Sequence, residues 1–351
     1  MGNCLSLPPN FEQNLTAIMD AVHNNRLLTM EIEFSLRCNF NCPYCYVPKP
    51  DYFRDELTLE EIQDVIVQAQ ELGAHKIIIL GGEPTIYANV KTIIAFIRDR
   101  GLEVELFTNG TGVDEESASF FFANKVRVVL KMNTFKPELQ DRLSGKKGAY
   151  DIIQAAFGTL RNAGYPCADA FLAVSTVICA PNINELPRLW CWLRDQSIAP
   201  YFEMITPQAN ALDNEWLFVE PLQVYQLFKE LAQIDRQHYD GQWEPQPPLV
   251  GNRCLRHLFS CLVTSNGAVT PCVGVNATLG NIRERKLADI LSQSQLIKDL
   301  KNYRQTIKGP CHSCDKADQC YGCRGAAYQM TGDYLASDPL CWKNYQNSGS
   351  D

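Results

Sequence analysis

The sequence predicts an α/β fold in which about six strand–helix units precede a cysteine-rich C-terminal extension. Three observations carry that prediction. Short apolar runs alternate with helical patterns between positions 29 and 236, which implies parallel strands joined by right-handed crossovers. Cys38, Cys42 and Cys45 share one tight loop straight after the first apolar run. Eight more cysteines fall between Cys254 and Cys341.

In chain order, positions 1–28 read as a lead-in helix and 29–36 as the first strand. Thr58 with Glu61 forms a capping-box pattern, and Ile62, Val65, Ile66, Ala69 and Leu72 follow at helical spacing until Gly73. Positions 76–80 read as a buried strand that runs into Gly81-Gly82-Glu83-Pro84. The alternation continues with a helix over 90–100, a strand over 104–107, a helix over 115–123, a strand over 126–132, a helix over 150–163 and a strand over 170–179. Leu186, Leu189, Trp190 and Leu193 mark one face of the next helix, which leads to a strand over 201–205 and a helix over 219–234. The Pro/Gly-rich stretch 237–253 reads as a linker, which divides the chain into units 29–236 and 254–351. In the second unit, Asn266-Gly267 predicts a β-hairpin with a type I′ turn that carries Cys261 and Cys272 on its arms, and a helix follows over 287–301. Six units are fewer than the eight of a closed barrel; periodicity alone fits a partial barrel and a doubly wound sheet equally.

The 351 residues include 32 basic and 40 acidic side chains, a net charge of −8. With no basic run, electrostatics give no support to nucleic-acid or anionic-membrane binding, and no apolar run approaches a spanning length. Fifteen cysteines without a secretory signal point to metal chemistry in a reducing cytoplasm. The start, Met1-Gly2-Asn3-Cys4-Leu5-Ser6, fits the short myristoylation pattern with Cys4 as a second acylation candidate; the match is set aside as fortuitous.

Three thiolates from one small loop can serve an iron–sulfur cluster, and with four ligands usual they would leave one iron open to a substrate or cofactor. Zinc is the alternative, although its sites favour paired C-x2-C knuckles or histidines, which this loop lacks. For the eight C-terminal cysteines, spacing alone fits two four-cysteine clusters or two structural zinc ions equally well.

The pattern C-x3-C-x-(aromatic)-C, with Tyr44 at the aromatic position, resembles the signature of the radical S-adenosylmethionine (radical SAM) superfamily, and Gly81-Gly82-Glu83-Pro84 resembles that family's GGEP motif. The resemblance implies a partial (β/α)6 barrel. It also implies a [4Fe–4S] cluster on Cys38, Cys42 and Cys45 whose open iron chelates SAM, and reductive cleavage of SAM to a 5′-deoxyadenosyl radical that abstracts a substrate hydrogen. Gly81, Gly82, Glu83 and Pro84 would then hold the SAM amino group. Asn109, Lys131, Asn133, Ser175 and Thr176, at the ends of the third to fifth strands, are further candidate SAM contacts. Glu31, Glu33 and Ser35 alternate on the first strand and would face a barrel lumen. Glu203 interrupts the apolar sixth strand, where a carboxylate is costly unless paired; it is a candidate catalytic residue in contact with substrate or SAM, with a structural salt bridge as the alternative, and Cys179 is the candidate catalytic thiol. Cys167 and Cys191 read as small packing residues.

The C-terminal block resembles the SPASM extension, which binds two auxiliary [4Fe–4S] clusters. That resemblance assigns Cys254, Cys261, Cys272 and Cys323 to one cluster and Cys311, Cys314, Cys320 and Cys341 to the other. Two residues rather than the family's usual three separate Cys320 from Cys323. Similarity to such enzymes implies an oxidoreductase or epimerase with three clusters and SAM, reduced by a donor such as flavodoxin or ferredoxin. It would act in natural-product biosynthesis, on a ribosomally made peptide first and on a sugar or aminocyclitol second. A non-catalytic electron carrier or zinc module is the remote alternative.

Overall fold

A computed structural model describes residues 14–47 and 55–346; the acylation pattern at Gly2 and Cys4 lies outside the described residues. Helix α1 (Leu15–His23) leads into β1 (Thr29–Glu33), α2 (Leu59–Glu71), β2 (Lys76–Leu80), α3 (Val90–Asp99), β3 (Glu103–Thr108), α4 (Glu115–Ala123) and β4 (Arg127–Lys131). Then come α5 (Pro137–Ser144), α6 (Ala149–Ala163), β5 (Leu172–Ile178), α7 (Leu186–Asp195), β6 (Ala199–Met204) and α8 (Pro221–His238). The C-terminal part contains β7 (Leu262–Val263), β8 (Ala268–Thr270), β9 (Gly280–Asn281), α9 (Leu287–Gln293), α10 (Gln295–Lys301), α11 (Tyr303–Thr306), α12 (Arg324–Thr331) and α13 (Lys343–Gln346).

All six N-terminal strands pair in parallel, in the order β6-β5-β4-β3-β2-β1. Side chains alternate across a strand, and the two faces differ in chemistry. Glu31, Ile78, Glu105, Lys131, Ser175 and Glu203 line one cavity of about 690 Å³. Their neighbours Met30, Ile32, Ile77, Ile79, Leu106 and Leu130 join the outer hydrophobic core, onto which the helices pack. Helix α3 buries Val90, Ile93, Ile94 and Ile97 there. The capping box at Thr58 forms as its spacing predicts, with Thr58 Oγ1 accepting from Glu61 N and Glu61 Oε2 accepting from Thr58 N.

The sheet does not stop at the barrel edge. Strand β7 pairs in parallel with β1 through Glu31↔Leu262 and Ile32↔Val263, and β8 and β9 extend it antiparallel. The C-terminal cysteine region is thus built onto the barrel's own first strand.

Several local expectations change. The first strand ends at Glu33 rather than 36. The hairpin turn has a positive φ at Gly267 (83°) and not at Asn266; Gly267 N donates to Thr264 O, a turn followed by a glycine bulge rather than type I′. The helix expected over 287–301 breaks at Ser294, whose extended backbone caps α10 with Oγ accepting from Ile297 N. Helix α5 was not expected. The stretch read as a linker is fastened to β6, since Met204 N donates to Pro248 O and Val250 N to Phe202 O.

Candidate active site

The cysteine loop is held by backbone approaches that exclude side chains. Gly82 N donates to Ser35 O and Glu83 N to Arg37 O, both at 2.9 Å. A Cβ on Gly82 would lie 2.0 Å from Arg37 O, and one on Gly81 (φ 117°) 2.5 Å from Ser35 O. From the other side, Asn41 N donates to Ser144 O, and a Cβ on Gly145 would meet Asn41 O at 1.9 Å. The GGEP turn and the end of α5 therefore grip the loop between them.

Cys38, Cys42 and Cys45 line the lumen cavity together with Tyr44, Gly81, Gly82, Glu83, Asn109, Lys131, Ser175 and Glu203. Cys38 Sγ accepts from Phe40 N at 3.4 Å and from Asn109 Nδ2 at 3.7 Å. Burial pushes the Cys38 thiol up to about 11 and the Cys42 thiol up to about 12. Thiols shifted this far ionise near neutral pH only beside a positive centre, as a bound metal supplies.

Glu83 is buried and its carboxyl is pushed up by that burial, against hydrogen bonds that lower it. It accepts from Thr85 N (3.0 Å), Thr108 Oγ1 (2.6 Å) and Asn109 N (2.6 Å). The carboxylate ties the second strand's turn to the end of the third and keeps spare acceptor capacity on Oε2. Lys131 Nζ donates to Ser175 Oγ at 3.1 Å, stands 3.8 Å from Glu203 Oε1 and lies over the Tyr44 ring.

Four expected site residues are elsewhere. Asn133 is fully buried; its Nδ2 donates to Tyr44 Oη (2.8 Å) and its Oδ1 accepts from Val177 N. It positions Tyr44 and is absent from the cavity wall. Thr176 faces outward and donates to Met132 O, and Pro84 is buried behind the turn. Cys179 is fully buried in an apolar cluster with Leu143, Val177 and Ile205, outside the cavity.

The sequence reading missed Arg256, whose Nη1 meets Glu31 Oε1 at 2.5 Å and whose Nη2 donates to Tyr201 Oη at 3.3 Å. It also missed Tyr46, which lines the cavity and donates to Glu33 Oε1. A third omission is the buried group in which Glu105 Oε2 receives Lys76 Nζ (3.1 Å) and Arg127 Nε (3.0 Å). For Lys76, Glu105 and Arg127, a charge on an otherwise apolar strand was the available signal; Arg256 and Tyr46 lie outside the strands and offered none.

All described cysteines are free. Among the described residues, no three His, Cys, Asp or Glu side chains close around one point as a single ion would need. The C-terminal thiols are placed instead by backbone donors. Cys272, Cys323, Cys320, Cys314 and Cys311 each accept a backbone N–H at 3.3–3.5 Å, as iron-bound thiolates commonly do. Electrostatics separate them into two neighbourhoods. Cys323 feels the charges of Cys254 and Cys272, whereas Cys341 and Cys320 feel Cys311. Cys261 is buried beside Glu31. Cys254 lines the same cavity as the loop cysteines.

Comparison with known proteins agrees with this geometry. A family profile described as the radical SAM superfamily matches residues 32–185, and one described as an iron–sulfur cluster-binding SPASM domain matches residues 254–315. The chain is 27% identical to an AdoMet-dependent heme synthase of Methanosarcina barkeri over 88% of this chain and 94% of that protein. It is 24% identical to an AdoMet-dependent heme synthase of Nitratidesulfovibrio vulgaris over 90% and 92%. Its fold is similar to Streptococcus suis SuiB bound to S-adenosylmethionine, with a TM-score of 0.70 and 16% identity, covering 92% of this chain and 80% of that one. It is also similar to anSMEcpe with bound AdoMet and a peptide, with a TM-score of 0.69 and 17% identity, covering 91% and 95%.

Proposed function

The chain belongs to the radical SAM superfamily and carries a SPASM iron–sulfur domain, and from that premise we propose that it oxidises a small organic substrate held in the barrel lumen. One observation carries the reading: a single cavity is lined both by Cys38, Cys42 and Cys45 and by Cys254. When bound, SAM and the loop cluster supply a 5′-deoxyadenosyl radical, and an iron–sulfur group at Cys254 supplies an electron acceptor. Glu203, 34% exposed on the cavity wall and 3.8 Å from Lys131, takes the proton that leaves the substrate. Lys131 and Ser175 present a cation and a hydroxyl to the ligand from the same wall. Return of a hydrogen atom by a thiol, as epimerisation requires, finds no support at Cys179, which lies outside the cavity.

Two relatives that align over most of their length are named for making heme, which favours a small molecule over the peptide side chain first expected. In this reading the protein works in the cytoplasm, holds three [4Fe–4S] clusters and takes electrons from a flavodoxin or ferredoxin. Anaerobic reconstitution tests it. We expect about twelve irons per chain, four for each cluster, and 5′-deoxyadenosine on reduction with SAM. Deuterium should pass into 5′-deoxyadenosine from labelled tetrapyrrole carboxylates and not from labelled peptides. Transfer from peptides alone reverses the substrate assignment, and zinc in place of iron removes the enzyme reading.

A further inference from the structure

Arg324 follows Cys323 at the first position of α12 and is 1% exposed. Its Nη1 donates to Tyr334 O (3.1 Å) and Ala336 O (2.6 Å). Its Nε and Nη2 are buried and have no hydrogen-bond partner. The guanidinium forms no ion pair with a carboxylate within 4 Å among the described residues. Asp338 and Asp333 are the acidic groups that couple to it electrostatically; the first carboxylate is taken up by Cys323 N (2.7 Å) and Leu340 N (2.9 Å), and the second by Lys308 Nζ and Leu335 N. A guanidinium stays charged at any pH a protein meets, and a buried charge without an opposite one is strongly disfavoured. Among the described residues no carboxylate answers this guanidinium at ion-pair distance, so the site has room for further negative charge.

Three details say where that charge belongs. A Cβ built on Gly322 (φ 68°) would lie 2.9 Å from Arg324 Nη2 and 3.3 Å from Cys311 Sγ, so the guanidinium and a thiol of one cysteine group flank the same glycine. Cys323, of the other group, is the adjacent residue and caps α12 with its sulfur accepting from Ala326 N. Asp338 touches both groups, with its backbone N near Cys311 Sγ (3.5 Å) and its carboxylate on Cys323 N. His257, between Cys254 and Cys261, repeats the pattern: both ring nitrogens are buried and unpartnered, and its ring lies against Tyr321.

We propose that Arg324 is the shared counter-charge of the two auxiliary iron–sulfur groups and a positioning residue for their redox chemistry, its unpartnered N–H groups facing the septum between the two cysteine sets. The inference rests on the reading of the C-terminal cysteines as iron–sulfur ligands. A four-cysteine cluster carries net negative charge, and local charge together with hydrogen bonds to its sulfurs sets its potential. Removing a cation disfavours the reduced, more negative form.

The test uses the full-length reconstituted protein, its iron and sulfide content, and redox-poised electron paramagnetic resonance. Signals that SAM does not alter are taken as auxiliary. At the potential where the unaltered protein's auxiliary signal is half developed, Arg324→Gln should lower the reduced-to-oxidised ratio at least tenfold, which is 59 mV for one electron. Arg324→Lys, which keeps the charge, should stay within threefold. Loss of iron in the Gln variant with retention in the Lys variant also supports the counter-charge. Full iron and an unchanged ratio in Arg324→Gln would overturn it, leaving the side chain as a clamp on two carbonyls. An equal fall in both variants overturns the charge argument as well. No auxiliary signal in unaltered protein that still cleaves SAM removes the C-terminal iron–sulfur reading, and this inference with it.

Discussion

Gly82 has no room for a methyl group. The oxygen of Arg37 stands 2.0 Å from where a Cβ would sit, and backbone cannot yield as a flexible side-chain end can. Gly82→Ala should therefore push the cysteine loop away from the GGEP turn. We expect loss of loop-bound iron and a fall in SAM cleavage of about 100-fold or more, the scale of an ångström-sized misplacement, with C-terminal iron retained. Iron counts and 5′-deoxyadenosine yield check this. Glu203 offers a separate test. As a proton acceptor it should be worth about 10²–10⁴ in rate, so Glu203→Gln should slow substrate oxidation by that factor and leave SAM cleavage without substrate near its original rate. If both fall together, the residue serves SAM instead.

Helices α7 and α8 meet around one carboxylate. Asp235 is 2% exposed and accepts Trp190 Nε1 (2.7 Å) and Trp243 Nε1 (2.8 Å), with Arg194 Nε at 3.3 Å from Oδ1. Asp235→Ala strands a buried guanidinium and two indole donors, at a cost of about 3–5 kcal/mol, which denaturant titration can read. Elements of this kind differ in how far the sequence reveals them. The α2 cap and the β2 strand are local, so spacing alone exposes them. Helix α5 was also written locally, with Pro137 at its start and Gly145 (φ 59°) after its end, but its polar composition gave no apolar stripe to read. Two of the five strand-end candidates, Asn133 and Thr176, lie off the cavity wall for a geometric reason. Alternation places Lys131 and Ser175 inward and Thr176 outward. Asn133 should share the face of Lys131, yet β4 ends at Lys131 and the alternation ends with it.

At the scale of the whole molecule, the C-terminal region completes the barrel rather than following it. Strand β7 covers the edge of β1, and Arg256 crosses from that region into the lumen to hold Glu31. Without positions 254–351, β1 would present an open edge, which invites aggregation, and buried Glu31 would lose its paired cation. We predict that such a truncation is insoluble or oligomeric by size-exclusion chromatography; a monomeric, SAM-binding fragment would contradict this. Chelation of iron from the intact chain should lower its thermal midpoint, since metal binding to preformed thiols is also folding energy. The six-unit architecture was legible because it repeats, and the cysteines because they are spaced. Arg256 and Arg324 were not. Their meaning lies in partners reached through the fold, and Glu31 stands 225 positions from Arg256.

The β1–β7 pairing has a kinetic consequence. Glu31 and Ile32 are laddered to Leu262 and Val263, with Cys261 directly before that ladder and the loop of Cys38 shortly after β1. If the loop and C-terminal cysteines hold clusters as proposed, a few backbone hydrogen bonds fix the span between them. Tunnelling falls off steeply with separation, so in that reading this short ladder would act as a ruler for electron transfer.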